Sequence, residues 1–277
     1  QDGSRKKSKF ISFIQKEQGM KLPNYVSGRW TEGRGTGAAL HDPVSGTELA
    51  RASTDGIDFA AALDYARGTG GPGLRALGYA GRAGLLTKIA EVLSANRAAY
   101  FEIALANSGS PESDASIDID GAIFTLKYYA RIGAALGGAR YLKDGELVRL
   151  AKDEAFQSLH ISQPLRGAAI LINAFNFPAW GLWEKAAPAL LSGVPVLAKP
   201  ATATAWLTQR MAEDVVKAGA LPEGALSIIC GSAGGLLDHV TGADAVSFTG
   251  SAETALRIRG HASLHPAAPP FIQIASS

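Results

Sequence analysis

One cysteine, Cys230, stands in the whole chain. A single thiol excludes an internal disulfide framework and any cysteine-rich zinc site. Neither sign of charge is in excess: 27 basic against 25 acidic residues leave a formal net charge of +2. That balance is too mild for the electrostatic footprint of a nucleic-acid partner. The one basic cluster, Arg5-Lys6-Lys7-Ser8-Lys9, sits in a polar leader and reads as a solvated tail. No apolar run approaches the ~20 residues that cross a bilayer, so no membrane partner is expected. Phe10-Ile11-Ser12-Phe13-Ile14 is too short for a signal-peptide core and no small-residue cleavage site follows it, so the chain reads as cytoplasmic. The histidines form no metal set: His261 and His265 are spaced for one helical face, but no Glu lies suitably between them and Pro266 follows.

What is present is apolar bulk. With 47% hydrophobic residues over 277 positions, the chain can bury a core in one large domain or two small ones. Met20-Lys21-Leu22-Pro23 looks like a natural beginning; residues 1–20 read as a tail or leader, and residues 1–19 are assigned no structure. Residues 21–146 read as mostly helical. Leu85, Leu86, Ile89, Ala90 and Leu93 share one stripe, and within 113–136 Ile117, Phe124, Leu126, Tyr128 and Ile132 are core candidates. The glycine-rich stretch 68–73 can in principle cradle phosphate. It has Pro72 inside and no strand before it, so it reads as a plain connection. The period then changes to two: Leu159 and Ile161 alternate with Ser158, His160 and Ser162, and Leu147–Leu150 supplies a partner strand. Residues 147–166 are therefore expected to form a β-hairpin arm for self-association into a homo-oligomer, a dimer in the simplest case.

From 167 to 264 short apolar runs at 168–172, 194–198, 226–230 and 245–248 alternate with helical segments at 179–191, 206–218 and 235–240. Gly193 and Gly219 close the first two helices. Alternation of this kind predicts an α/β fold with a Rossmann-like parallel sheet.

Three strand ends carry candidate chemistry. Asn176 follows Ile170-Leu171-Ile172 and is stopped by Pro178. A loop Asn often satisfies its own backbone, but an amide at a strand's carboxyl end also offers a fixed donor where negative charge develops. Lys199 ends the next strand, as a solvated loop charge or a ligand group. Gly250-Ser251 opens a helix whose first N–H groups suit a pyrophosphate, unless Ser251 is a plain N-cap. Cys230 ends an apolar strand with no base beside it and reads as structural.

Taken in order, Ile172-Asn173-Ala174-Phe175-Asn176-Phe177-Pro178, Lys199-Pro200-Ala201-Thr202-Ala203-Thr204-Ala205, Ile229-Cys230-Gly231-Ser232-Ala233-Gly234 and Phe248-Thr249-Gly250-Ser251 resemble the aldehyde dehydrogenase family. The resemblance runs from Leu22 to about Phe271 and covers the family's N-terminal, cofactor-binding half. Within the family, the sequence most resembles the branch acting on CoA-linked semialdehydes in aerobic benzoate and phenylacetate degradation. It implies that Asn176 contributes to the oxyanion hole. It also implies that Asn173, Ala174, Phe175, Lys199, Ala201, Thr202, Gly231, Phe248, Gly250 and Ser251 bind the cofactor. The position three residues after Lys199 is an acid in members that hold a free 2′-hydroxyl. Thr202 stands there, so NADP is expected to be preferred, with NAD accepted. One departure is Ala255, where the family usually carries Gly.

In a complete member a cysteine thiolate attacks the aldehyde and a Glu-activated water releases the acid. Counting from Gly250-Ser251 puts that Glu close to Ile274, where none stands, and the nucleophile beyond Ser277. Residues 265–277 accordingly read as a divergent tail. Two functions stay open: an aldehyde dehydrogenase represented by its cofactor portion, or a non-catalytic nucleotide-binding or interaction module derived from one.

Overall fold

The computed structural model describes residues 19–261, residue 263 and the backbone of 271–276. The basic cluster at 5–9 and the expectations for His265 and Pro266 lie outside the described residues. Five short strands come first: β1 (Met20–Leu22), β2 (Asn24–Val26), β3 (Arg29–Thr31), β4 (Ala38–His41) and β5 (Glu48–Ala52). They correct the mostly helical reading of residues 21–146. Strands this short hold too few alternations for a two-residue period to register, and turns at Gly28 (φ 75°) and Gly46 (φ 73°) separate them.

Helices follow: α1 (Phe59–Tyr65), α2 (Gly71–Ala76), α3 (Tyr79–Ala95), α4 (Arg97–Ile103) and α5 (Glu112–Ala135). A π-helical turn, Ala66–Gly70, joins α1 to α2, and a second, Ala104–Ser108, follows α4. The stretch 68–73 is therefore helix and not the expected connection. Pro72 is tolerated in the first turn of α2, where its missing N–H costs nothing. Gly70 is there for contact: a Cβ on it would lie 2.0 Å from the Gly224 carbonyl oxygen.

On α5 the buried face is Ala115, Ile119, Ala122, Ile123, Leu126 and Ala130, while Ile117, Phe124, Tyr128 and Ile132 are exposed. Of the five core residues expected on α5 only Leu126 is inside, whereas Leu86, Ile89, Ala90 and Leu93 of the expected stripe on α3 are buried. Small residues choose the face here, because α5 packs close to its neighbours; a Cβ on Gly133 would meet Leu191 Cδ1 at 2.4 Å.

The hairpin pairs β6 (Leu142–Arg149) with β7 (Gln157–Ser162) antiparallel, beginning earlier than the residue 147 expected. The remaining elements are β8 (Ala169–Ile172), α6 (Trp180–Leu191), β9 (Val196–Lys199), α7 (Ala205–Lys217), β10 (Leu226–Ile228), a 3₁₀ turn Leu236–His239, β11 (Ala245–Gly250), α8 (Ala252–Arg259) and β12 (Phe271–Ser276). β12 occupies part of the segment read as a divergent tail.

The large sheet has the order β12-β11-β8-β9-β10-β2-β3. β8 to β12 pair parallel, as the alternation predicted, and β2 and β3 extend the sheet antiparallel at one end. The α/β expectation is met. Ile170, Leu197 and Val246 face one apolar cluster, and Leu171, Val196 and Ala198 face another with Leu182, Trp183 and Leu190 of α6. Each large apolar side chain so buried stabilises the fold by roughly 1.5–3 kcal/mol. β8 pairs with β9 on one side and β11 on the other, so the chain reverses direction across the sheet there. The carboxyl ends of β8 and β11 flank this switch point, where open α/β sheets leave a crevice for ligands.

Candidate functional site

The loop after β8 is held from three elements. Asn173 N–H donates to the Lys199 carbonyl at 3.0 Å. Thr204 Oγ1 donates to the Phe175 carbonyl at 2.9 Å, and Thr208 Oγ1 to that of Pro178 at 2.6 Å. Asp118, on α5, accepts the N–H groups of Ala179 and Trp180 at 3.0 and 2.6 Å. Asn176, in the middle of this clasp, is exposed, and its amide makes no hydrogen bond to the described residues. An amide held by its backbone but free at its tip can meet a ligand.

A cavity of about 700 Å³ opens beside the carboxyl ends of β8, β9 and β11. Asn173, Ala174, Phe175, Lys199, Ala201, Thr202, Phe248, Gly250 and Ser251 all line it. Gly231 does not, although its carbonyl accepts the Thr202 hydroxyl at 3.0 Å and so fixes that wall. The backbone at Gly231 has φ 136°, and a Cβ there would press on the Thr54 amide nitrogen at 3.1 Å. Asn176 lies in a neighbouring cavity of about 300 Å³ with Phe177, Trp180, Glu184 and Lys185. Ala174 and Thr249 line both cavities, so the two meet there.

The electrostatics of the larger cavity suit an anionic, hydroxyl-rich ligand. Lys199 is half-buried and has no ion partner among the described residues. Burial pushes its pKa down, with a small opposing pull from Cys230. Ser251 caps α8, its Oγ accepting from Thr254 N–H at 3.3 Å, and both residues face the cavity. The remaining first-turn N–H groups and the positive end of the helix dipole favour a phosphate there. Asn173 is 6% exposed, and neither polar atom of its side-chain amide has a partner among the described residues. Leaving such a group unmet costs about 1–3 kcal/mol, which a bound polar ligand can offset. These features fit a dinucleotide.

Cys230 is fully buried, and burial pushes its thiol up to about 12 against the pull of Lys199. Its N–H donates to Asn24 Oδ1 at 2.7 Å. It packs in the core, and its burial disfavours the thiolate a nucleophile needs. Ala255 is buried against the same apolar cluster as Phe248, so a methyl group is accommodated where the family usually has Gly.

Asp118, Thr204, Thr208 and Asn107 escaped the sequence reading. Asn107 Nδ2 donates to the Ala203 carbonyl at 2.9 Å and so supports the loop after β9. The four-residue spacing of Thr204 and Thr208 at a helix start was a usable signal. Asp118 and Asn107 had none, since their partners lie far along the chain. Among the described residues, no three His, Cys, Asp or Glu side chains gather to hold a metal. No described helix is long and apolar enough to cross a membrane.

A parallel sheet with a switch point, a helix N-terminus and a lysine without an ion partner among the described residues, all around one crevice, make up a Rossmann-like α/β architecture. The chain belongs to the aldehyde dehydrogenase family, whose model matches residues 30–268. Members of this family use NAD or NADP. The chain is 65% identical over 242 residues to the 3,4-dehydroadipyl-CoA semialdehyde dehydrogenase of Aromatoleum evansii, covering 87% of this chain and 47% of that protein. It is 28% identical over 250 residues to a D-glyceraldehyde dehydrogenase (NADP(+)) of Thermoplasma acidophilum, covering 88% and 48%. A betaine aldehyde dehydrogenase from Staphylococcus aureus in complex with NAD+ shares the fold with a TM-score of 0.80 at 21% identity, covering 97% of this chain and 52% of that one. The chain spans about half the length of the curated relatives it matches. The motif resemblance, including its branch, is borne out.

Proposed function

We propose that this chain is the cofactor-binding portion of an aldehyde dehydrogenase that oxidises a CoA-linked semialdehyde to the acid, with NADP preferred over NAD. The observation that carries the reading is the meeting of two cavities. One holds Lys199, Thr202, Gly250 and Ser251; the other holds Asn176; Ala174 and Thr249 form their common wall. Hydride transfer requires the aldehyde and the nicotinamide in contact, and this wall is where the two would touch.

The residues divide the work. Lys199 and the start of α8 hold the anionic parts of the dinucleotide, and Asn173, Ala174, Phe175, Ala201, Thr202 and Phe248 shape its walls. The bound cofactor supplies the hydride acceptor. Asn176 Nδ2 donates to the aldehyde oxygen as it gains negative charge; removing one such donor costs about 10²–10³ in rate in well-studied cases. Phe177 and Trp180 give the aldehyde an apolar approach. The CoA-linked substrate class rests on the 65% identity to the Aromatoleum evansii enzyme. Self-association through the β6–β7 hairpin belongs to the same reading, since Leu147, Leu159 and Ile161 are exposed on it.

Calorimetric titration of the chain with NADP and NAD tests the core of this. Saturable binding that is weakened by Lys199→Ala and Gly250→Val is expected. No binding of either dinucleotide to the folded chain would overturn it.

A further inference from the structure

We propose that Asp118 is a positioning residue for Asn176: from α5 it sets where that amide stands by holding the first turn of α6. The functional weight of this rests on the reading of Asn176 given above, while the geometry stands by itself.

The Asp118 side chain spans about sixty residues of sequence to accept the N–H groups of Ala179 and Trp180 at 3.0 and 2.6 Å. These are orphan donors at the start of α6, and Ala179 brings no capping side chain of its own. A carboxylate is the stronger acceptor at a helix N-terminus, both through charge-assisted hydrogen bonds and through the dipole. Asn176 stands three residues before Ala179, with Pro178 between. The proline ring fixes one backbone angle and restricts Phe177 before it, so a shift at Ala179 reaches Asn176 through stiff residues. Thr204 and Thr208 hold carbonyls of the same loop. Asp118 supplies the clasp on the N–H side.

α5 is shaped for this contact. Gly121 leaves room for the Trp180 ring, since a Cβ there would lie 2.9 Å from Trp180 Cδ2. Thr125 Oγ1 accepts the Trp180 Nε1–H at 3.0 Å. Asp118, Gly121 and Thr125 follow at three and four residues and share a helix face. Asp118 also lines a cavity of about 330 Å³ with Asn176, Phe177 and Asp114. Burial pushes its carboxyl up to about 6 although the N–H groups of Trp180 and Ala179 pull it down; Glu184 on α6 adds to the rise. The titratable neighbours are therefore Glu184 across the contact and Asp114 on the same helix.

The test is ¹⁵N NMR of the labelled chain, with the Asn176 side-chain amide assigned by its loss in Asn176→Leu. In wild type, the Asn176 amide and the Ala179 and Trp180 N–H signals should titrate together between about pH 5 and 7. Asp118→Asn should displace the Asn176 signals and abolish that titration, and Asp118→Glu should restore one. Asn176 signals unmoved by Asp118→Asn, while Ala179 and Trp180 shift, would reduce Asp118 to a helix cap and overturn the proposal. Should Asp118→Asn fail to fold, Asp118→Glu decides: Asn176 signals that stay in place while those of Ala179 and Trp180 move overturn the proposal. NADP titration of the same samples reports on the functional reading separately, because Asp118 lies outside the cofactor cavity.

Discussion

Arg67 and Asp244 meet as a bidentate pair, Nη2 to Oδ2 at 2.6 Å and Nε to Oδ1 at 3.1 Å, with the Asp244 side chain wholly buried. The same carboxylate accepts the N–H groups of Ala168 and Thr241 at 2.8 and 2.7 Å. The π-turn after α1 is thereby tied to the starts of β8 and β11, the strands that flank the switch point.

Breaking this pair should be expensive. Asp244→Asn is expected to cost roughly 3 kcal/mol in urea unfolding, the low end for a broken buried pair, because Arg67 loses its buried partner and keeps only the exposed Asp64 at 3.0 Å. Burial alone would raise the Asp244 pKa, but Arg67 and the two N–H donors hold it below the ordinary carboxylate value. A depressed folded value means stability present above the unfolded value near ~3.9 and lost as pH falls through the folded one. The gap between wild type and variant should stay constant from neutrality to about pH 4 and narrow only below it. A gap already closing at pH 6 would contradict the assignment.

Asp118 should behave with the opposite sign. Its folded carboxyl is raised to about 6, so its contribution is complete below the unfolded value and lost as pH rises through the folded one. Relative to wild type, Asp118→Asn should gain about 2–3 kcal/mol between pH 4 and pH 8. Thermal unfolding at several pH values measures the slope, whatever the constant offset from altered hydrogen bonds.

Cys230 should not react with a thiol reagent until the protein is denatured, given its burial and raised pKa. The purified 277-residue chain should produce no NADPH from an aldehyde. Aldehyde-dependent NADPH formation abolished by Cys230→Ala would refute both statements.

Thr202→Glu should weaken NADP selectively and leave NAD near its original affinity. Like charges about 4 Å apart interact by roughly 4 kcal/mol at an effective dielectric near 20, and even ~1.4 kcal/mol of that is tenfold. Thr202→Val, which removes only the hydroxyl bond to Gly231, is the control. An unchanged NADP-to-NAD ratio in the Glu variant sinks the cofactor preference.

The hairpin offers a test of assembly. Leu159 and Ile161 alternate onto one face of β7 and are exposed, while Leu147, also exposed, lies where the register of β6 shifts between Asp144 and Val148. Leu159→Lys with Ile161→Lys should shift the sedimentation mass to that of one chain. A wild-type mass of one chain, or an oligomer unaltered in the variant, would overturn the assignment of the arm.

The α/β half was legible because β8 and β9 are each followed by a helix and a glycine stop, at Gly193 and Gly219. Parallel strands bring their carboxyl ends together, so Asn173, Lys199 and Ser251 meet at one edge whatever the details of packing. The N-terminal strands were not legible, being too short to show a period. On α5 the apolar stripe gave the wrong face, because Ala115, Ala122 and Gly133 buy close approach where Phe124 and Tyr128 would hold the helices apart. Asp118 and Asn107 were invisible for a simpler reason: a lone polar residue in a helix says nothing about a backbone group far away until the chain is folded.

The pairing of β2 with β10 has a consequence in time. Asn24 accepts the Cys230 N–H across 206 residues and donates to the Thr31 and Ser53 carbonyls, sealing the sheet's end. During synthesis, β2 and β3 leave the ribosome long before the strand they dock on exists. At ~5–20 residues per second, they wait on the order of ten seconds or more with their edge groups unpaired. A strand so early in synthesis and so late in pairing gives the fold a slow closing step. That interval is when a nascent chain of this protein is most open to a chaperone, or to another copy of itself.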